Sequence, residues 1–277
     1  MLTSLQNPTV KQMRKLQQPR ERRKQGVLLL EGTHLVEAAS EASYPLSVLC
    51  HTEDWQGRYP QIYQRAIALS DRTELVSPEV LKSIASTVSP DGVVAIAPQR
   101  TAWQEAASQP KGNVNLGVLL ETLQDPGNLG TIIRTAAAAG SDGLWLSSDS
   151  VDMGSPKVLR ASAGQWFRLP MAKVDVVQQA EQLKEKGVQV VATSAIAALN
   201  YWQLDLKRPT VFAMGNEGAG LSADLMDCAS VAVKIPVMPG VESLNVAIST
   251  ALLLYEARRQ REDAEEGAED RNINSVV

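Results

Sequence analysis

Residues 115–140 read NLGVLLETLQDPGNLGTIIRTAAAAG, and this stretch decides the fold class. The run from Leu116 to Leu120 is apolar without alternation, which predicts a strand, 115–122, buried on both faces. Asp125-Pro126-Gly127-Asn128 then breaks it. From Leu129 onward apolar residues predict a helix over 128–139. The same alternation returns down the chain. Strands are expected at 143–147, 188–195, 210–215 and 231–237, and helices at 156–166, 177–186, 222–228 and 244–260. Buried strands separated by helices predict an α/β fold with a mainly parallel sheet covered on both faces. The last helix is apolar nearly all round before Tyr255, which predicts burial in a core or a subunit interface.

Upstream lies a smaller α/β unit, residues 1–100, with a short apolar run at 27–32 and short strands at 46–50, 73–77 and 92–99. Helices are expected at 8–24, 34–42, 61–71 and 78–87, the last capped by Ser77 and opened by Pro78. The polar stretch 101–112 reads as a linker, 113–261 as the second domain, and 262–277 as a tail. Two domains suit a chain of 277 residues.

Composition narrows the function classes. Cys50 and Cys228 lie far apart, which excludes a disulfide framework and a Cys-only zinc site. Cys228 sits in the apolar stretch LMDCASVAV and reads as core. His34 and His51 are the only histidines, so no metal centre is expected. No run of eighteen apolar residues predicts a membrane span. The opening MLTSLQNPTVKQMRKL lacks the apolar region of a secretory signal, so the expected compartment is the cytoplasm.

The net charge of −4 hides an asymmetry. Residues 1–26 carry seven bases, Lys11, Arg14, Lys15, Arg20, Arg22, Arg23 and Lys24, against Glu21 alone, a net +6. Such a cluster suits contact with the phosphate backbone of a nucleic acid; a solvated helix face is the alternative. Residues 262–270, EDAEEGAED, carry six acids and no base, which predicts a disordered, solvating end.

In an open parallel sheet, ligands sit beyond the carboxyl ends of the strands. Three such ends stand out. In 121–140, Gly127 and Gly130 permit close backbone approach at a helix start, with Asn128 as a candidate cap. The turn holds only G-x-x-G, so a dinucleotide fingerprint is incomplete, although Asp149 lies about where a ribose-binding acid belongs. Arg134 sits two turns into an apolar helix and needs a partner or a snorkelling path to water. In FAMGNEGAGLS (212–222), three glycines in six positions suggest a backbone cradle for a flat ligand. In KIPVMPGVESLNVAIST (234–250), Pro236, Pro239 and Gly240 set a rigid bend, and Ser243 is the candidate cap of the last helix.

Together these segments closely resemble the three signature motifs of the SpoU (TrmH-type) RNA ribose methyltransferases of the SPOUT superfamily. The first is Asn128-x-Gly130 with Arg134, the second MGNEGAGL (214–221), and the third IPVMPGVESLNV (235–246). The intervening SPKVLRASAGQWFRLP (155–170) is similar to the family as well. The segment from Lys11 to Ala39 resembles the family's L30e-like substrate-binding extension. The resemblance implies a deep trefoil knot in the second domain, a homodimer, and S-adenosyl-L-methionine as cofactor. It implies that Thr193, Ser194, Gly215, Asn216, Gly218, Gly220, Ile235, Met238, Ser243 and Leu244 form the cofactor pocket. Asn128, Arg134, Glu217, Ser243 and Asn245 match the polar set around the reacting ribose. The implied reaction is methyl transfer to a ribose 2′-hydroxyl of RNA, with 23S ribosomal RNA favoured by the extension and transfer RNA as the alternative. A non-catalytic RNA-binding or ribosome-assembly factor is disfavoured because the polar set is intact.

Overall fold

A computed structural model describes residues 1–99 and 113–274. They form two compact units, one of residues up to Gln99 with Asp152–Arg168, the other of 113–151 with residues from Leu169 onward. The expected linker lies outside the described residues.

The first unit carries a four-stranded sheet in the order β1-β4-β2-β3, from β1 (Val27–Glu31), β2 (Val48–His51), β3 (Thr73–Leu75) and β4 (Val93–Pro98). Strand β4 pairs antiparallel with β1 and β2, whereas β2 and β3 run parallel. The helix expected over 8–24 is instead two, α1 (Pro8–Lys15) and α2 (Pro19–Gln25). Pro19 explains the break, because a residue preceding proline is pushed out of the α region; Gln18 has ψ of 128°. Val10, Met13 and Leu16 face a core that includes Leu29, Cys50 and Ile84. Four more helices follow: α3 (Thr33–Glu41), α4 (Glu53–Arg58), α5 (Pro60–Ala68) and α6 (Pro78–Ile84). Ser77 caps α6 through Val80 N–H at 3.3 Å, as expected.

Asp152–Arg168 joins this unit, although the sequence placed it in the second domain. Asp152 pairs with the buried Arg22 at 3.0 Å, and Arg160 pairs with the buried Glu31 at 3.0 Å. Trp166 and Phe167 pack against Tyr44 with centroid distances of 6.2 and 5.1 Å.

The second unit is a seven-stranded parallel sheet in the order β7-β6-β5-β10-β8-β11-β9. Its strands are β5 (Leu116–Leu120), β6 (Gly143–Leu146), β7 (Met171–Lys173), β8 (Gln189–Thr193), β9 (Leu199–Asn200), β10 (Thr210–Met214) and β11 (Val231–Lys234). Strand β10 therefore inserts between β5 and β8. The fully buried Trp145 shows why glycine stands in two of these strands. A Cβ on the paired Gly117 or Gly143 would lie 2.7 or 2.8 Å from the indole.

Helix α7 (Pro126–Ala138) follows β5, and α8 (Pro156–Ala161) lies in the segment claimed by the first unit. Helices α9 (Val176–Glu185), α10 (Ala223–Cys228) and α11 (Val246–Asn274) complete the second unit. Helix α11 continues through the acidic stretch that was expected to be disordered. Arg258 and Arg259 pair with Glu262 and Asp263 one turn on, and such pairs support a helix rich in Ala and Glu. Its middle is latched to the rest of the unit: Arg261 donates to the carbonyls of Leu206, Asn115 and Arg208, and Arg258 to that of Ala138 at the end of α7. No described helix is long and apolar enough to cross a membrane.

Candidate active site

Because all seven strands are parallel, the ends of β5, β8, β10 and β11 open on one edge of the sheet. Beyond β5, the chain turns at Thr122, which adopts φ of +53°. That conformation is uncommon for a β-branched residue and must be held from outside. Its N–H donates to Ser147 Oγ at 2.8 Å and its hydroxyl to Asp149 Oδ2 at 2.9 Å. Hydrogen bonds from Ser147 and Thr122 hold the Asp149 carboxyl below the usual carboxylate range. Asp149 thus braces a turn. Asp125, not Asn128, caps α7, accepting Asn128 N–H at 2.8 Å. The Asn128 side chain is thereby free for other partners.

The 215–222 loop is folded onto itself. Asn216 and Gly220 exchange two backbone hydrogen bonds of 3.0 Å, and Asn216 Oδ1 accepts from Gly218 and Ala219 N–H. A Cβ at Gly215 would meet the Gly220 carbonyl carbon at 2.1 Å, so only glycine fits. Gly220 needs glycine for a different reason, φ of +72° with open space around it. Three hydrogen bonds involving side chains tie this loop to the end of β5. Asn216 Nδ2 donates to Thr122 O at 3.0 Å, and Glu121 accepts from both the N–H and the hydroxyl of Ser222 at 2.7 Å. Sequence reasoning gave Glu121 no role; an acid directly after a buried strand was the available signal.

Beyond β11, residues 235–245 form an irregular, largely exposed loop. Asn245, not Ser243, caps α11: its Oδ1 accepts Ala247 N–H at 2.9 Å and Ile248 N–H at 3.3 Å. This fixes its amide orientation, because the acceptor oxygen is already committed to backbone donors. Its Nδ2 donates to Asn128 Oδ1 at 2.9 Å, and Asn128 Nδ2 in turn donates to Glu217 Oε1 at 3.0 Å. One residue from each of the three strand-end segments thus joins a single chain of side-chain hydrogen bonds.

Other expected site residues stand differently. Arg134 is exposed and makes no ion pair or hydrogen bond among the described residues. Ser243, Leu244 and Met238 are exposed on the 235–245 loop, and Ile235 opens it, partly buried. Thr193 ends β8 and donates to Ala213 O at 3.1 Å, with the partly buried Ser194 beside it. Among the described residues, no group of three or more His, Cys, Asp or Glu could hold a metal. Burial pushes the Cys50 thiol up to about 12 and raises that of Cys228, so neither thiol is poised as a nucleophile.

In the first unit the basic residues divide. Lys11, Arg14, Lys15, Arg20, Arg23 and Lys24 are exposed. Arg22 is not available to RNA. It is 3 % exposed, donates to the carbonyls of Leu16 and Gln17, and pairs with Asp152.

Residues 115–255 match the SpoU rRNA Methylase family, and residues 7–95 match the MRM3-like substrate binding domain. The chain belongs to the SpoU rRNA methylase family. It is 48 % identical over 261 residues to a tRNA/rRNA methyltransferase of Synechocystis, covering 94 % of each chain. It is 29 % identical to the 23S rRNA (guanosine(2553)-2′-O)-methyltransferase of Bacillus subtilis, covering 93 % of this chain and 98 % of that protein. The crystal structure of an AdoMet-bound rRNA methyltransferase from Sinorhizobium meliloti shares its fold at a TM-score of 0.81 and 34 % identity, covering 93 % and 97 %.

Proposed function

We propose that this chain transfers the methyl group of S-adenosylmethionine to a ribose 2′-hydroxyl of ribosomal RNA, in the cytoplasm and as a homodimer. The observation that carries this reading is the Glu217–Asn128–Asn245 chain, which gathers the three strand-end segments beside the glycine loop. Ribosomal RNA is favoured over transfer RNA because the relatives named for one substrate, in Bacillus subtilis and Shewanella oneidensis, act on 23S rRNA.

The residues present fit the cofactor. Gly215 lets Gly220 return where a Cβ would meet its carbonyl carbon at 2.1 Å, and the open space beside Gly220 leaves the loop backbone accessible to a flat adenosine. Gly215, Ile235 and Leu244 would hold adenine and ribose through backbone groups, with Thr193, Ser194, Asn216 and Met238 lining the pocket and Gly218 shaping the loop. The insertion of β10 between β5 and β8 supports threading of the chain as a knot. When bound, S-adenosylmethionine supplies a methyl carbon activated by its sulfonium.

The chain's own residues address the acceptor. A 2′-hydroxyl is a weak nucleophile: its oxygen bonds the methyl carbon as the carbon–sulfur bond breaks, and it gains negative charge as its proton passes to solvent water. Arg134 stays charged, because guanidinium does not deprotonate in proteins, so it acts as a donor rather than a base. Its unpartnered guanidinium pairs with the substrate phosphate and stabilises the developing alkoxide. Asn128, Glu217 and Asn245 form a fixed polar wall, with Ser243 two residues before Asn245, and orient the ribose for attack.

The dimer reading is supported by Ile248, Leu252 and Tyr255, exposed apolar residues spaced 4 and 3 apart along the start of α11, with the exposed Leu244 just before the helix. Such a stripe suits a second copy of the helix. The first unit serves as the RNA arm through the six exposed cations of α1 and α2. Tritiated-methyl transfer to ribosomal and transfer RNA from cells lacking the gene tests the reading. Label is expected in ribosomal RNA; label confined to transfer RNA would overturn the substrate class, and label in neither would overturn the activity.

A further inference from the structure

A cavity of about 210 Å³ opens on the first unit, lined by none of the residues of the basic helices α1 and α2. Gly32, His34, Thr87, Ser89, Asp91 and Arg160 line it. The cavity floor explains an otherwise costly feature, the burial of the Glu31 carboxylate. Glu31 accepts from Ser86 N–H at 3.0 Å, from Ser86 Oγ at 2.8 Å and from Arg160 Nη1 at 3.0 Å. These bonds commit a single nitrogen of the Arg160 fork. Nε and Nη2 make no hydrogen bond among the described residues, and the side chain stays 35 % exposed.

Asp91 is arranged in the same way. Its Oδ2 accepts Thr33 N–H at 3.0 Å, at the start of α3. Its other oxygen makes no hydrogen bond among the described residues. Gly32 holds φ of +94°, and a Cβ there would stand 3.2 Å from Asp91 Oδ2, so glycine keeps the approach to this carboxylate open. At the rim, the His34 side chain is 94 % exposed.

The charges argue for a particular ligand. Glu31 and Asp91 set two carboxylates against one guanidinium, which does not favour an anion. A free acceptor and free planar donors side by side suit the edge of a nucleobase, which presents both N–H groups and lone pairs. An exposed imidazole at the rim offers a face on which a base can stack. We propose that this cavity receives one unstacked nucleobase of the RNA substrate, read at its edge by Asp91 and Arg160 and stacked by His34. Glu31 is the positioning residue that presents the Arg160 fork. This inference rests on the RNA-methyltransferase reading and adds to it a base-recognition site on the substrate-binding unit.

The test uses the full chain and fluorescence anisotropy with labelled octaribonucleotides of A, of C, of U and of alternating G and U. A ribose-phosphate octamer lacking bases is the control. The variants are Asp91→Asn, which keeps an acceptor for Thr33 N–H, Arg160→Lys, which keeps a cation beside Glu31, and His34→Ala. Each is expected to weaken binding of at least one octamer about tenfold, a base-contact effect. Binding of the abasic control should not change. Circular dichroism melts matching wild type for Asp91→Asn and His34→Ala keep the result free of misfolding. Wild-type affinity in all three variants would overturn the pocket alone. Equal losses on the abasic control would also overturn it, by showing a backbone contact. A wild-type chain that bound no octamer and methylated no RNA would overturn the function reading, and the pocket with it.

Discussion

Asn245 Nδ2 donates to Asn128 Oδ1 at 2.9 Å, while the same Asn245 caps α11 with its Oδ1. One side chain therefore fixes both the start of the last helix and the polar wall of the site. Asn245→Asp separates the two roles, because a carboxylate still caps but cannot donate to Asn128. Helix stability should be preserved, whereas loss of the cap in Asn245→Ala costs about 1 kcal/mol. Methyl transfer by Asn245→Asp should fall at least tenfold in a tritium assay, with an unchanged melting temperature.

Gly215 and Gly220 differ in why they are glycine. A Cβ at Gly215 collides with backbone at 2.1 Å, while at Gly220 it meets nothing within 4 Å. Gly215→Ala should force the loop open and lower S-adenosylmethionine affinity at least tenfold by calorimetry. Gly220→Ala carries only the left-handed backbone penalty, about 1–2 kcal/mol. It should retain most of the affinity, and Gly220→Val should lose more.

Arg134 has no protein partner among the described residues, so its removal should leave stability and cofactor affinity unchanged. Loss of a preorganised donor to developing negative charge typically costs about 10²–10³ in kcat. Arg134→Ala should therefore abolish detectable transfer. Arg134→Lys should recover part of it if the role is electrostatic. The readout is single-turnover transfer at saturating cofactor.

Arg22 should behave unlike its neighbours. Removing one partner of a buried ion pair costs about 3–5 kcal/mol, so Arg22→Ala should sharply lower the urea midpoint of the first unit. Arg20→Ala and Arg23→Ala should leave that midpoint in place. They should weaken RNA binding and each flatten its log–log salt slope by about 0.7–0.9.

The stripe Ile248, Leu252 and Tyr255 should be covered by a second copy. Ile248→Asp with Leu252→Asp is expected to yield a monomer in sedimentation velocity, without loss of secondary structure. A wild-type monomer would end the dimer proposal.

Much of this was legible in the sequence. Apolar strands and their spacing located the parallel sheet, and the three strand ends were picked out by glycine, proline and misplaced polar residues. What escaped was the division of labour among capping residues. Asn128 and Ser243 both looked like caps, but Asp125 and Asn245 cap instead. Local propensity cannot rank two eligible caps a few residues apart when a long-range bond decides. Glu121 and Thr122 escaped because their partners, Ser222, Ser147 and Asp149, lie far along the chain. Arg22 escaped for the same reason. Its charge reads as surface until Asp152, from a distant segment, is seen against it.

The most direct measurement is the chemical location of the transferred methyl. Ribosomal RNA from cells lacking the gene is incubated with the protein and S-adenosylmethionine bearing a deuterated methyl group, then digested to nucleosides for mass spectrometry. The expected product is a single nucleoside whose deuterated methyl fragments with the ribose. A deuterated methyl that fragments with the base would contradict the placement of the strand-end site around a sugar hydroxyl.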